Sequence, residues 1–344
     1  MMHYRPMVSV GIIGASGFTG AELLRLSAGH PDLDVRVATG DSQAGTRAGE
    51  LYPSLAAAYP NLVFAPYDPA EVAGLDLVFL GLPHGASQRI VPELIGKVGH
   101  LVDLGADFRL QDASLYPQWY GEEHTAPELL PDFAYGLPEL FRDEIKASTH
   151  VATPGCYPTA AALALAPLVR SGLIDTTGII VDAASGVSGA GRPPKSTTTF
   201  CAVDEDFTAY GLLDHRHTPE MEQVLGATVL FTPHLAPMNR GILATCYARP
   251  TGATSTAAVI EVLRSAYADE PFVVVTDGSP STKATLGSNC AHVTARYDER
   301  TGHVLAIAAI DNITKGASGA AVQCANLLLG LPETAGLPIA GVYP

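Results

Sequence analysis

The run Val8-Ser9-Val10-Gly11-Ile12-Ile13 stops at Gly14-Ala15-Ser16-Gly17-Phe18-Thr19-Gly20, and a helical pattern of Ala21, Leu23, Leu24, Leu26 and Ala28 follows, closed by Gly29 and Pro31. A β-branched strand, a glycine loop and a helix in immediate succession constrain the fold more than any other stretch of the chain. Glycines let the backbone turn tightly and approach a pyrophosphate, which sits on the leading N–H groups of the helix. The spacing is GxxGxxG rather than the standard GxGxxG, so its place at the first strand-to-helix turn carries the inference; a plain tight turn is the alternative. Gly14, Ser16, Gly17, Phe18, Thr19 and Gly20 are the expected cofactor contacts.

The βα alternation continues. Asp34–Thr39 reads as the second strand, which ends at Ala38-Thr39-Gly40 before Asp41 and Ser42. A site for NAD usually places Asp or Glu at that strand end to hold the ribose 2′-hydroxyl. Thr39 and Ser42, with Arg47 in reach, suit a 2′-phosphate, so NADP(H) is the expected cofactor. Leu75–Leu80 is a buried-type parallel strand leading through Gly81-Leu82-Pro83-His84-Gly85 into a helix. Pro83 is the expected cofactor contact there, and His84 either meets a ligand or caps the helix. Leu101–Leu104 is the next strand, and its loop carries Asp107 and Arg109. Ligands of open α/β sheets bind beyond the carboxyl ends of the strands, so Arg109 is placed to grip a phosphate or carboxylate. A surface ion pair with Asp107 or Asp112 is the plainer reading.

Beyond about residue 150 the alternation weakens. Strands are expected at 179–184, 228–232, 241–248, 291–297 and 304–310, with helices near 254–268 and 316–329, which points to an α+β domain with a mixed sheet. The chain thus reads as a doubly wound, Rossmann-type nucleotide-binding domain followed by an α+β domain, divided close to Cys156. The 344 residues, 47% hydrophobic with 34 Gly and 26 Pro, are enough for two cores. The net charge of −15 makes nucleic acid an unsuitable partner. The five cysteines are odd in number and scattered, which favours reduced thiols in the cytoplasm over a disulfide framework. No signal segment fits before the first strand, and the longest apolar run, near 160–169, is too short to span a bilayer.

Chemistry concentrates at Thr153-Pro154-Gly155-Cys156-Tyr157-Pro158-Thr159, where a thiol precedes a small-residue helix expected to begin near Thr159. The positive end of a helix favours thiolate over thiol, although a lone cysteine also packs as an ordinary buried side chain. Asp214-His215-Arg216-His217-Thr218-Pro219-Glu220 supplies histidines to activate that thiol. Its spacing matches no common zinc pattern, and no metal is expected. The glycine-rich loop 185–192 stands to close over a nicotinamide or merely to connect strands, and the Pro-bounded segment 231–241 reads as a site-lining loop. A nucleotide fold with Cys and His suggests attack on an activated acyl group, a thioester, and reduction by hydride. Arg109 and Arg216 would neutralise an anionic leaving group and a substrate carboxylate. A cofactor-free cysteine hydrolase and a non-catalytic nucleotide sensor are the competing classes.

Six segments occur in one order: Gly14–Gly20, Ala106–Leu110, Pro154–Thr159, Ser188–Arg192, His215–Glu220 and Asp311–Gly316. In this the chain resembles the N-acetyl-γ-glutamyl-phosphate reductase family, whose members reduce an acyl phosphate in arginine biosynthesis. The resemblance spans nearly the whole chain, and Pro-Gly-Cys-Tyr-Pro-Thr and His-Arg-His-Thr-Pro-Glu are its specific pieces. It implies a semialdehyde-dehydrogenase-type fold with an NADP-binding domain over 1–152, completed by about 318–344, and a catalytic and oligomerisation domain over 153–317. It implies Cys156 as nucleophile and His217 as acid/base, with Arg109, His215 and Arg216 toward the substrate. Ser188, Gly189 and Asn312 would lie at the nicotinamide. It further implies a small-molecule substrate, N-acetyl-γ-glutamyl phosphate, and a homodimer or homotetramer built through the second domain's sheet. The loop Gly40-Asp41-Ser42 departs from the basic residues frequent in the family.

Overall fold

The computed structural model describes residues 6–344, which divide into two compact units. The first comprises 6–114, 122–154 and 317–337; the second comprises 115–121, 155–316 and 338–344. Residues 338–344, expected with the nucleotide domain, therefore belong to the second unit. There the Asn289 N–H donates to the Pro338 carbonyl and the Val342 N–H to that of Leu286.

The first unit holds a wholly parallel sheet of β1 (Val8–Ile13), β2 (Leu33–Ala38), β3 (Leu77–Leu80), β4 (His100–Asp103), β5 (Phe133–Tyr135) and β6 (His150–Ala152). Their order is β2-β1-β3-β4-β6-β5. All four β3 residues are buried, as expected of a strand covered on both faces. β5 and β6 went unforeseen: three residues each give no period to read. Helix α1 (Phe18–Ala28) follows β1, α2 (Ser87–Leu94) follows β3, and α3 (Pro138–Ala147) links β5 to β6.

The second unit opens with α4 (Cys156–Arg170), which starts at Cys156 itself, three residues before the expected point. Pro158 falls in the first turn, where its missing N–H has no intrahelical acceptor to lose. Pro167 lies inside the helix and would orphan the Leu163 carbonyl, but the Tyr267 hydroxyl donates to that oxygen at 2.7 Å, and α4 runs on to Arg170. The helix is buried on nearly every side and packs on the central strands of a seven-stranded mixed sheet. That sheet contains β7 (Ile179–Gly186), β8 (Thr208–Ala209), β9 (Val229–Ala236), β10 (Ile242–Ala248), β11 (Val273–Val275), β12 (Ala291–Asp298) and β13 (His303–Ile310). Its order is β11-β12-β13-β10-β7-β9-β8.

Helices α5 (Thr218–Leu225) and α6 (Thr256–Ala266) flank α4 on the same face. On the opposite face, Ile180 pairs with both Tyr247 and Leu230, and all three are exposed. β9 runs through Pro233 to Ala236, so much of the segment expected as a loop is strand. Finally α7 (Gly319–Leu328) packs in the first unit against α3, β4 and α1. It is held there by Ser318 Oγ donating to the Thr19 carbonyl at 2.8 Å and by His30 Nε2 at 3.0 Å from Asn326 Oδ1.

Candidate active site and nucleotide-binding loop

In the second unit, Cys156 is the first residue of α4 and is partly accessible. The preceding Gly155 is extended, with φ −64° and ψ 153°, and its N–H donates to Glu220 Oε1 at 2.8 Å. Glu220 is fully buried in the first turn of α5, and His217 is the capping residue just before that helix. A Cβ built on Gly155 would lie 2.5 Å from His217 Nε2 and 2.7 Å from its Cε1, so the imidazole rests against the backbone one residue before the thiol. On another side, a Cβ on Gly316 would come 2.8 Å from Cys156 Cβ. Only glycine admits this packing around the sulfur-bearing residue.

Aromatic groups surround the imidazole. The ring centroids of His215 and His217 are 4.8 Å apart, and those of Tyr157 and His217 are 5.9 Å apart. The His217 N–H donates to His215 Nδ1 at 3.1 Å, so that nitrogen is the unprotonated one. Burial, then the Arg216 guanidinium, push His215 down to about 4 against an opposing pull from Asp214. His215 is thus neutral at physiological pH and acts as a hydrogen-bonding and packing group. The Tyr210 hydroxyl donates to the Tyr157 hydroxyl at 3.1 Å, and burial raises the Tyr210 phenol to about 12. Arg216 is exposed.

Ser188, Gly189 and Asn312, more than a hundred residues apart in sequence, come together. Asn312 Nδ2 donates to Ser188 Oγ at 3.0 Å, its Oδ1 accepts from the Gly241 N–H at 2.7 Å, and a Cβ built on Gly189 would lie 3.6 Å from its amide nitrogen. Asn312 therefore braces the 187–190 turn as well as standing beside it.

In the first unit the loop after β1 is built for close approach. Gly14 has φ +86°, and a side chain there would strike the Gly81 carbonyl; one on Gly20 would strike the backbone of Ala15. Gly17 is different: the nearest atom to a Cβ there is 3.5 Å away. No side chain caps the start of α1 and its first turn holds no acid, leaving its leading N–H groups without a side-chain acceptor. These features fit a dinucleotide pyrophosphate. Ser16 sits inside the loop, its carbonyl accepting from the Tyr52 hydroxyl at 2.8 Å.

Thr39 is buried, and its Oγ1 accepts from the Gly14 N–H at 3.1 Å, which ties the end of β2 to the loop. Ser42 and Arg47 are exposed just beyond, and Pro83 is exposed after β3. Arg109 is not a surface residue. It is 8% exposed and donates from Nε to the Thr153 carbonyl at 2.8 Å and from Nη2 to the Leu104 carbonyl at 2.9 Å. His84 lies with Nδ1 2.6 Å from Asp107 Oδ1 and Nε2 3.3 Å from Glu122 Oε1, so it pairs with carboxylates rather than capping α2. Among the described residues no three His, Cys, Asp or Glu side chains converge as metal ligands.

Glu220, Gly155 and Tyr210 carry no expected role from the sequence. The spacing of His217 and Glu220, three apart at the start of a helix, was the available signal that both face one spot.

Two family models match the chain: "Semialdehyde dehydrogenase, NAD binding domain" over residues 9–148 and "Semialdehyde dehydrogenase, dimerisation domain" over 156–312. The fold agrees. Aspartate semialdehyde dehydrogenase II from Vibrio cholerae superposes with a TM-score of 0.71 at 16% identity, covering 95% of this chain and 99% of that one. The Candida albicans aspartate semialdehyde dehydrogenase solved with NADP gives 0.70 at 16% identity, covering 94% and 98%. The protein is thus of the semialdehyde dehydrogenase class, with a nicotinamide-dinucleotide-binding domain. Among curated relatives, the N-acetyl-gamma-glutamyl-phosphate reductase of Symbiobacterium thermophilum is 48% identical, covering 98% of this chain and 99% of that protein. The reductase of the same name from Desulforamulus reducens is 46% identical, covering 98% and 100%. The chain belongs to the N-acetyl-gamma-glutamyl-phosphate reductase family.

Proposed function

We propose that this protein reduces N-acetyl-γ-glutamyl phosphate to N-acetylglutamate semialdehyde and phosphate with NADPH, in arginine biosynthesis. The observation that carries the mechanism is the His217 imidazole resting on Gly155, beside a thiol at the first position of a buried helix. At that position the helix dipole favours the thiolate of Cys156. His217 takes the thiol proton as sulfur attacks the acyl carbon; the carbon–oxygen bond to phosphate breaks and a thioester forms on Cys156. NADPH supplies the hydride that reduces this thioester. His217 protonates the oxyanion formed at that carbon, then removes the same proton as the thiohemiacetal collapses to aldehyde and Cys156 leaves as thiolate.

Arg109 stabilises the departing phosphate, and Arg216 with neutral His215 binds the substrate's carboxylate end. The loop 14–20 holds the pyrophosphate, while Ser188, Gly189 and Asn312 hold the nicotinamide. The absence of Asp or Glu at the end of β2, with Ser42 and Arg47 exposed beyond it, supports NADP(H) over NAD(H). The exposed apolar face carrying Ile180, Leu230 and Tyr247 supports a homodimer or homotetramer formed through this sheet. Five free cysteines and the lack, among described residues, of a helix long and apolar enough to cross a membrane support a cytoplasmic enzyme.

The test runs the reaction backward: NADP⁺ reduction by N-acetylglutamate semialdehyde with and without phosphate, beside NAD⁺ and aspartate semialdehyde controls. Phosphate-dependent turnover with NADP⁺ is expected. Activity on aspartate semialdehyde alone would overturn the substrate, and NADP⁺ binding without turnover on either aldehyde would overturn the chemistry.

A further inference from the structure

The loop after β3 and the loop after β4 are fastened to each other by one side chain. Asp107 is completely buried. Its Oδ1 accepts from the Gly85 N–H at 2.8 Å and lies 2.6 Å from His84 Nδ1, while its Oδ2 accepts from the Gln88 N–H at 3.1 Å. Burial works to raise its pKa, yet these hydrogen bonds, that from His84 first, bring it below the ordinary carboxylate value. The residue before α2, Ala86, provides no side-chain cap, so the donors of that helix start are served from β4's loop instead.

The main chain of Asp107 is held as well, because His124 Nε2 lies 2.7 Å from its carbonyl oxygen. Gly85, at φ +81°, is in the left-handed region that favours glycine, and a Cβ there would also meet Glu122 Oε1. Two residues beyond Asp107, Arg109 is aimed by the carbonyls of Leu104 and Thr153, so its guanidinium inherits the placement of 104–109. On the other side of the tie stands Pro83, at the mouth of the β3 loop.

We propose that Asp107 is a positioning residue that makes the Pro83 loop and the Arg109 segment one rigid piece, setting cofactor contact and phosphate contact together. This rests on the reading of Pro83 and Arg109 as cofactor and phosphate contacts. It assigns Asp107 and His84 no contact with substrate.

The experiment is Asp107→Asn, beside Glu122→Gln and wild type. The amide keeps the volume but offers one accepting oxygen where two serve three donors, and turns an NH₂ toward whichever of them faced the replaced oxygen. NADP⁺ affinity is read by calorimetry and the phosphate KM from the reverse reaction, both well below the unfolding temperature. Asp107→Asn is expected to weaken NADP⁺ binding and raise the phosphate KM about tenfold each, with kcat at saturation within about threefold. Glu122→Gln is expected to change neither by more than about twofold.

Wild-type NADP⁺ affinity and phosphate KM in Asp107→Asn, whatever its melting temperature, would show that Asp107 only caps a helix and would overturn the proposal. If that variant does not fold, His84→Gln carries the test, because it removes the imidazole's 2.6 Å hold on Asp107 Oδ1 and leaves the tie to the two backbone donors alone: both values are expected to rise by a smaller factor, and unchanged values refute the tie. Should wild type show no phosphate-dependent turnover, the proposed reaction falls, while calorimetry still decides the tie.

Discussion

Gly155→Ala isolates the geometry on which the proposed chemistry depends. At φ −64° and ψ 153° alanine is unstrained, and the N–H that donates to Glu220 is retained. The added methyl would stand 2.5 Å from His217 Nε2. Ordinary non-bonded contact begins near about 3.5 Å, so the ring must retreat by about 1 Å. It cannot do so freely. The backbone N–H of His217 is bonded to His215 Nδ1, which fixes the main chain that carries the ring, and the ring itself is flanked by His215 at 4.8 Å and Tyr157 at 5.9 Å between centroids.

A 1 Å displacement of an acid/base group costs about 100-fold in rate, or about 2.7 kcal/mol of transition-state stabilisation. Global stability is expected to change little, because replacing glycine in an allowed conformation stabilises by about 0.4–1 kcal/mol and offsets part of the local repacking. Steady-state kinetics with a parallel thermal melt make the measurement. A kcat about 100-fold down at a nearly unchanged melting temperature is expected. A kcat within about threefold of wild type would refute the argument that His217 works from its place against Gly155.

Three further outcomes are expected. Glu220→Ala leaves the buried Gly155 N–H without its acceptor and should lower kcat by at least about tenfold, whereas Glu220→Gln, which can still accept, should recover most of it; equal losses would show that the charge matters rather than the hydrogen bond. Asp103 is fully buried, and burial, then the neighbouring Asp107 charge, raise it to about 7 from an ordinary 3.8, with no hydrogen-bond partner at Oδ2. The unfolded chain therefore loses this proton first, so stability is full below about pH 4 and falls as pH rises toward 7. Asp103→Asn should stabilise by up to about 4 kcal/mol at pH 8 and by almost nothing at pH 4, and a pH-independent effect in denaturant titrations would contradict the assignment. Tyr267→Phe removes the donor to the Leu163 carbonyl left open by Pro167 and should destabilise by about 1–2 kcal/mol in urea unfolding; no change would mean that carbonyl is served otherwise.

How much could be read in advance follows physical lines. β1, α1 and β3 were legible because hydrophobic period and glycine punctuation are local signals, and the observed strands lie within a residue or two of expectation. β5, β6, β8 and β11, each two or three residues long, exist only because neighbouring strands offer backbone partners, which no local pattern encodes. The Pro-bounded segment 231–241 reads as a loop, yet β9 runs through Pro233, whose carbonyl accepts from the Tyr210 N–H. The candidate site divides in the same way. Cys156 and His217 stand out by residue type and motif. The partner of Glu220 is a backbone N–H 65 positions away, and that of Thr39 is one 25 positions away. A sequence shows that a carboxylate or hydroxyl is present but not which distant donor it has turned toward. Thr39 was expected at the cofactor on residue type alone, and its bond to the Gly14 N–H of the loop could not be read from it.

The central claim is that Cys156 carries the acyl group. Intact-protein mass spectrometry after mixing with N-acetyl-γ-glutamyl phosphate, with NADPH withheld, tests it most directly. A mass increase of one N-acetylglutamyl group is expected on the wild-type chain, located at Cys156 and discharged as aldehyde when NADPH is added, with no such increase in Cys156→Ala. Turnover of the acyl phosphate by Cys156→Ala at the wild-type rate, or an adduct on any other residue, would contradict it.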